Sequence, residues 1–294
     1  MQFIKAKTIL SKVKYGADWY GCDYNMNLYR GCPHGCIYCD SRSSCYHIDD
    51  FDIPKLKENA LNILERELSK NSRGVVSIGS MSDTYNPLEK QYEQTRGALK
   101  LISKYNFGVS IDTKSDLILR DLDLLKEINL KNNVIVKFTI TTPSDELSKI
   151  IEPNVCVSSK RFKAMKILSD NGIFTGIMMN PVLPFITDNE EGIKKIVKMA
   201  YEFGAKFIHT YMGVTLRDNQ RDYYFEKLDK YFKGLKEKYI NYYGNKYNCT
   251  VPNYKKLYKV FVMECNKYGI LYNMNDIIKA YKKEIKENEQ ITLF

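Results

Sequence analysis

Three cysteines, Cys32, Cys36 and Cys39, stand in a C-x3-C-x2-C spacing within "NLYRGCPHGCIYCDSRSSCY", a stretch that holds four of the chain's eight cysteines. Thiolates this close can come from one tight loop, with Pro33 and Gly35 permitting sharp turns. Such a trio can hold a zinc ion, enter disulfides or seat an iron–sulfur cluster. Structural zinc needs four ligands, usually as two pairs, and no second C-x2-C exists here; His34, Cys45 and His47 sit at no usual zinc spacing. A 4Fe–4S cluster held by three cysteines leaves one iron open to an incoming ligand, and the spacing favours that reading over zinc. Cys22, Cys45, Cys156, Cys249 and Cys265 are expected in the core, with Cys45 the nearest to the trio.

A loop of this kind has to be carried by regular elements. Short β-branched or aromatic runs bounded by turn residues predict strands at 75–79, 107–113, 134–140, 173–179 and 206–212, after a first strand near 20–27. Apolar residues at three- and four-residue spacing predict helices at 54–69, 92–104, 121–129, 160–170 and 190–203. About six βα units in series demand a parallel sheet, open or barrel-like. No GxGxxG follows the first strand, which argues against a dinucleotide site. From about Leu216 the chain reads as helical, aromatic and basic. Tyr224, Leu228, Tyr231, Leu235 and Tyr239 are spaced as the inner face of a helical extension. The expected division is a core at 1–215 and an extension at 216–294.

A chain of 294 residues with 44% hydrophobic content can bury a large core without staples. No apolar run is long enough to cross a bilayer, and "MQFIKAKTIL" lacks the apolar stretch of a signal peptide, so the expectation is a cytoplasmic protein with no membrane partner. A reducing compartment disfavours disulfides for the clustered cysteines. The net charge is +10, and residues 217–294 carry 16 Lys/Arg against 10 Asp/Glu, which fits either a polyanionic partner or a lysine-rich composition.

"CPHGCIYC" resembles the signature of the radical S-adenosylmethionine (radical SAM) superfamily, including the aromatic residue before the last cysteine. The resemblance implies a partial, six-unit (β/α) barrel of TIM-like kind, with the cluster loop after the first strand. It also implies a 4Fe–4S cluster, S-adenosylmethionine chelated at the open iron, and one-electron cleavage to a 5′-deoxyadenosyl radical. "NLYRGCPHGCIYCDSR", "SMSDTYNPLE", "DTKSDLILRDLDLL", "IEPNVCVSSKRFKAMKILSDNGI" and "NPVLPFITDNEEGI" follow the order seen in the spore photoproduct lyase-like, DNA repair photolyase-type family, over about 20–216.

That likeness implies a role for particular residues. Cys32, Cys36 and Cys39 would bind the cluster. Ser82, Asp83, Lys114, Thr139 and Arg161 would contact the cofactor, and Tyr38 would present its backbone beside the adenine. Each has a plain structural alternative, from a turn residue for Ser82 to a helix N-terminal charge for Arg161. One departure concerns the hydrogen donor. Spore photoproduct lyases carry a cysteine where this chain has Ser80, whose O–H bond is too strong for that role, and Tyr85 is the candidate substitute. The final residues, Gln290–Phe294, resemble the short peptide that hooks bacterial repair proteins onto the sliding clamp, with Leu293 and Phe294 as apolar anchors.

The resulting expectation is a radical SAM enzyme acting on nucleic acid, in DNA repair or modification, reduced by a donor such as flavodoxin or ferredoxin. Two other readings stay open. One is radical chemistry on a peptide, protein or small metabolite, and the other is a metal-bearing nucleic-acid-binding module without catalysis.

Overall fold

The computed structural model describes residues 2–13 and 19–282. In chain order the strands are β1 (Gln2–Ile4), β2 (Leu10–Lys12), β3 (Tyr24–Met26), β4 (Tyr29–Arg30), β5 (Lys55–Lys57), β6 (Val75–Ile78), β7 (Gly108–Thr113), β8 (Val134–Thr139), β9 (Phe174–Met179), β10 (Phe207–Thr210), β11 (Gly213–Thr215) and β12 (Asn248–Thr250). The helices are α1 (Ala60–Leu68), α2 (Glu89–Tyr92), α3 (Gln94–Lys104), α4 (Leu122–Lys131), α5 (Asp145–Ile151), α6 (Ser158–Asp170), α7 (Glu190–Glu202), α8 (Gln220–Tyr231), α9 (Leu235–Tyr243), α10 (Tyr254–Tyr268) and α11 (Met274–Tyr281).

A seven-stranded sheet in the order β10-β9-β8-β7-β6-β3-β2 forms the frame. β3, β6, β7, β8, β9 and β10 run parallel, and β2 is antiparallel at one edge. The sheet is thus an open arc, a partial (β/α)6 barrel of TIM-like kind rather than a closed one. Every residue of β6 and of β8 is buried, as expected of parallel strands covered on both faces. The covering helices are amphipathic. In α7, Ile193, Ile196, Val197 and Ala200 face the core, and the helix starts at Asn189, whose side chain accepts from Gly192 N, followed by Glu190 and Glu191 in the first turn. Leu257, Phe261 and Cys265 of α10 join the same core.

The predicted strands of the arc form close to their expected places, the first one shortened to Tyr24–Met26. Three expectations differ from the structure. The helix expected at 54–69 starts only at Ala60, because Lys55–Lys57 is a strand held by parallel pairing to β1 and antiparallel pairing to β4. The aromatic run after Leu216 breaks into α8 and α9 around Gly234 (φ +78°). Tyr231 falls at that break and is 42% exposed, whereas Tyr224, Leu228 and Tyr239 are buried. Finally β12 pairs back on β11 across α8 and α9, an antiparallel pair that the helical pattern around it conceals. No helix among the described residues is long and apolar enough to cross a membrane.

The arc is tightest where β6 ends. Gly79 has φ +96°, and a Cβ there would lie 2.1 Å from the Asp112 carbonyl oxygen, while at Gly172 (φ +78°) a Cβ would meet nothing within 4 Å. Both positions penalise an L-residue by about 1–2 kcal/mol for the left-handed backbone. Gly79→Ala is expected to cost about 1–3 kcal/mol more than Gly172→Ala, because only there must packed backbone move. Parallel urea melts check this, and equal losses would contradict the close approach.

Candidate active site

The cysteine loop runs from β4 over the C-terminal ends of the parallel strands. Gly31 (φ +82°) starts it, where a Cβ would lie 2.7 Å from Phe51 O. Cys32 N then donates to that same carbonyl at 2.7 Å. The α5–α6 connection pins the other side: Ile37 N donates to Ile151 O at 2.9 Å, and Asn154 Nδ2 donates to Pro33 O at 2.9 Å. Cys32, Cys36 and Cys39 line one cleft together with His34, Tyr38, Ser41, Gly79, Ser80, Met81, Ser82, Asp83, Asp112, Thr113, Lys114 and Thr139.

Asp83 organises this mouth. Its Oδ1 accepts from Tyr85 N and from Thr113 Oγ1, both at 2.9 Å, and its Oδ2 accepts from Lys114 N at 2.7 Å. His34 Nδ1 stands 3.6 Å from Oδ2. Burial holds the His34 pKa below its usual value despite that carboxylate. Ser82 Oγ donates to Gly31 O at 2.5 Å, tying the loop after β6 to the cysteine loop.

The electrostatics suit a metal-bearing guest that also carries an anionic group. Burial, followed by the Asp83 and Cys39 charges, pushes the Cys32 thiol up to about 12. Burial likewise raises Cys36 and Cys39, so these thiols give up their protons to a metal that takes the sulfurs. Burial opposes the charge of Lys114, but Cys36 once it is a thiolate, together with Glu152 and Asp83, outweighs it and holds its pKa above the usual lysine value. Lys114 therefore offers a fixed positive charge beside the thiols. Among the described residues no three His, Cys, Asp or Glu side chains converge on a single ion; the thiolates of a cubane cluster each hold a different iron and have no need to.

Other expected residues sit differently. Thr139 ends β8 and lines the cleft. Arg161 does not line it. Its guanidinium is fully buried, paired with Glu152, and donates to Thr139 O at 2.9 Å and to Cys156 O at 2.7 Å. The Tyr38 hydroxyl donates to the same Glu152 carboxylate. Tyr85 is buried and lines a neighbouring cleft with His34, Lys90, Asn154 and Cys156, outside that of the cysteine trio. Cys45, expected in the core, is exposed: its short helical turn lies at the surface beside Arg217, whose Nη1 donates to Cys45 Sγ at 3.0 Å. Gln290–Phe294 lies outside the described residues.

Glu152 and Asp112 escaped sequence reasoning. The first carried a usable signal, an acid next to Pro153 in a quoted motif, and the second a polar residue inside an apolar strand. Removing the Glu152 carboxylate would strand the buried Arg161 charge. Glu152→Ala is expected to cost about 3–5 kcal/mol in urea unfolding. Thr139→Ala, at the cleft surface, should cost about 1 kcal/mol. Similar losses from both would remove Glu152 from the support of this site.

Comparison with known proteins follows the same lines. The model of the Radical SAM superfamily matches residues 26–200. An uncharacterised protein of Methanocaldococcus jannaschii is 36% identical over 190 residues, 64% of this chain and 69% of that protein. An uncharacterised protein of Mycobacterium tuberculosis is 29% identical over 229 residues, 75% of this chain and 67% of that one. Among solved structures, a spore photoproduct lyase variant superposes with TM-score 0.68 at 15% identity, covering 91% of this chain and 80% of that chain. Another variant, with bound AdoMet and dinucleoside spore photoproduct, gives TM-score 0.64 at 14% identity, covering 86% and 76%. At these identities the two structures speak for the fold.

Proposed function

Because this chain belongs to the radical SAM superfamily, whose members use a 4Fe–4S cluster, S-adenosylmethionine and a reductant, we propose that it generates a substrate radical on nucleic acid, in DNA repair or modification. The observation that carries the catalytic part is the gathering of Cys32, Cys36, Cys39, Asp83, Lys114 and Thr139 in one cleft. When bound, the cluster and S-adenosylmethionine together supply the 5′-deoxyadenosyl radical that abstracts hydrogen.

In this proposal the three cysteines hold the cluster. Lys114 pairs with the cofactor carboxylate, and Thr139 and Ser82 offer hydroxyls to it. Asp83 acts mainly by fixing the loops that present Lys114 and His34, since its oxygens already accept from Tyr85, Thr113 and Lys114. Tyr38 and Arg161 support the cofactor side indirectly, through Glu152 and the Thr139 carbonyl. Tyr85 is proposed as the later hydrogen donor, which requires the neighbouring cleft to communicate with this one.

The nucleic-acid part rests on the net charge of +10 and on the surface of residues 216–294. There Tyr242 and Tyr254 are 54% and 42% exposed and share a cleft with Lys246, Lys255 and Lys256. Exposed rings among lysines suit stacked bases and phosphates. Residues 1–215 would act as the catalytic core and 216–294 as the substrate-facing extension, in the cytoplasm, with flavodoxin or ferredoxin as donor. The Gln290–Phe294 peptide would tether the enzyme to the sliding clamp.

Anaerobic reconstitution should give a brown protein with about four irons, which releases 5′-deoxyadenosine on reduction. Cys36→Ala should abolish both. Tight zinc without iron uptake would overturn the catalytic reading. Affinity for DNA should fall steeply with salt; no DNA binding at low salt would turn the proposal toward a peptide or small-molecule substrate. Clamp binding unchanged by deletion of 290–294 would end the tether.

A further inference from the structure

One row of the sheet continues past the cysteine cleft. In register, Thr139 of β8 stands beside Met178 of β9, and Met178 beside His209 of β10. One level below, Asp112 pairs with Lys137, Lys137 with Gly176, and Gly176 with Phe207. Side chains on parallel strands at matched positions share a face. The face that meets the thiols at Thr139 and Asp112 therefore runs on through Lys137 to His209, at the open edge of the arc.

Lys137 is the anomaly on this face. Its side chain is fully buried, with Nζ 3.0 Å from Asp112 Oδ2, yet none of its N–H donors is aligned on an acceptor. The nitrogen lies 4.3 Å from the centroid of the Tyr20 ring. Ile135, one inward position earlier on the same strand, shows that an apolar residue is accommodated here. A buried amine with donors to spare is costly to keep for packing alone. The Asp112 carboxylate that faces it lines the cysteine cleft, so the charge pair reaches the place where a substrate would meet the cofactor.

At the outer end stands Trp19, the chain's single tryptophan. It is 48% exposed, and its ring meets Tyr20 and His209 edge to face, at 5.3 and 5.0 Å between centroids. Two rigid neighbours thus fix an aromatic ring that remains half open to solvent. Such a ring is suited to stacking on a flat guest.

We infer that Trp19 and His209, where this face reaches the open edge of the arc, form a substrate-side wall beyond the cleft and read a flat, acceptor-rich ring of the nucleobase type, with the buried Lys137 as a positioning residue beneath them. Trp19 stacks on the ring, while His209 donates to its oxygen or nitrogen edge. Asp112 holds Lys137 in place. This inference rests on the nucleic-acid reading above and adds to it the residues that grip the base.

Because Trp19 is the only tryptophan, the intrinsic fluorescence of the full chain reports on this one position. The anaerobically reconstituted protein is titrated with a short oligothymidylate, reading tryptophan emission and, on a labelled copy, anisotropy. The expected result is saturable quenching that follows the anisotropy curve. Trp19→Ala should weaken oligonucleotide binding about 10-fold while keeping its iron content and melting temperature. His209→Ala should also weaken binding at an unchanged melting temperature; a histidine that only packs against Trp19 would leave affinity untouched. Oligonucleotide binding with unchanged emission and full affinity in Trp19→Ala would overturn the wall and leave the nucleic-acid reading standing. No oligonucleotide binding at low salt would overturn both.

Discussion

The mouth of this barrel depends on the carboxylate of Asp83. It lies on the loop after β6, accepts from the backbone of Tyr85 and Lys114 and from the hydroxyl of Thr113, and faces His34 of the cysteine loop. Three segments distant in sequence are thereby referred to one buried group. A carboxylate taken from water needs this density of donors to be tolerated. In return, the backbone that carries Lys114 cannot shift without breaking a charge-assisted hydrogen bond. The thiols of the adjoining loop inherit that rigidity through Ser82 and Gly31.

A second buried charge supports the opposite wall. Glu152 receives the Tyr38 hydroxyl and the Arg161 guanidinium, and Arg161 in turn holds the carbonyls at Thr139 and Cys156. The residue before the last cysteine is thus locked to the ends of β8 and α5. The two networks share a logic: an ionised group that cannot reach water fixes several chain segments at once. The cleft between them is left with thiols, a lysine and a few hydroxyls. These groups suit a metal cluster and a zwitterionic cofactor.

Much of this arrangement was legible in the sequence. The alternation of apolar strands and amphipathic helices foretold the parallel arc, and the cysteine spacing foretold a single loop at its mouth. Asp83, Lys114 and Thr139 all reach that mouth because each sits at or just beyond a strand's C-terminal end, which a β-branched or aromatic run closed by turn residues marks. What the sequence hid was long-range. Lys55–Lys57 becomes a strand through β1 and β4, which both precede it in the chain and flank it only in the sheet. The β11–β12 pair joins residues separated by two helices. Arg161 looks like a helix-start charge in sequence, and only the fold shows that it buries itself against Glu152. Cys45 is of a type usually found in cores, and its exposure follows from a turn that the fold leaves at the surface beside Arg217.

The central claim is that the three thiols of the cleft seat a cluster with one iron open beside Lys114. Electron paramagnetic resonance of the reduced, reconstituted protein, recorded with and without S-adenosylmethionine, tests it most directly. The account predicts a four-iron signal that changes when S-adenosylmethionine is added, with Lys114→Ala needing more of the cofactor to produce the change. A four-iron signal indifferent to S-adenosylmethionine, in the native chain and at any concentration, would contradict it.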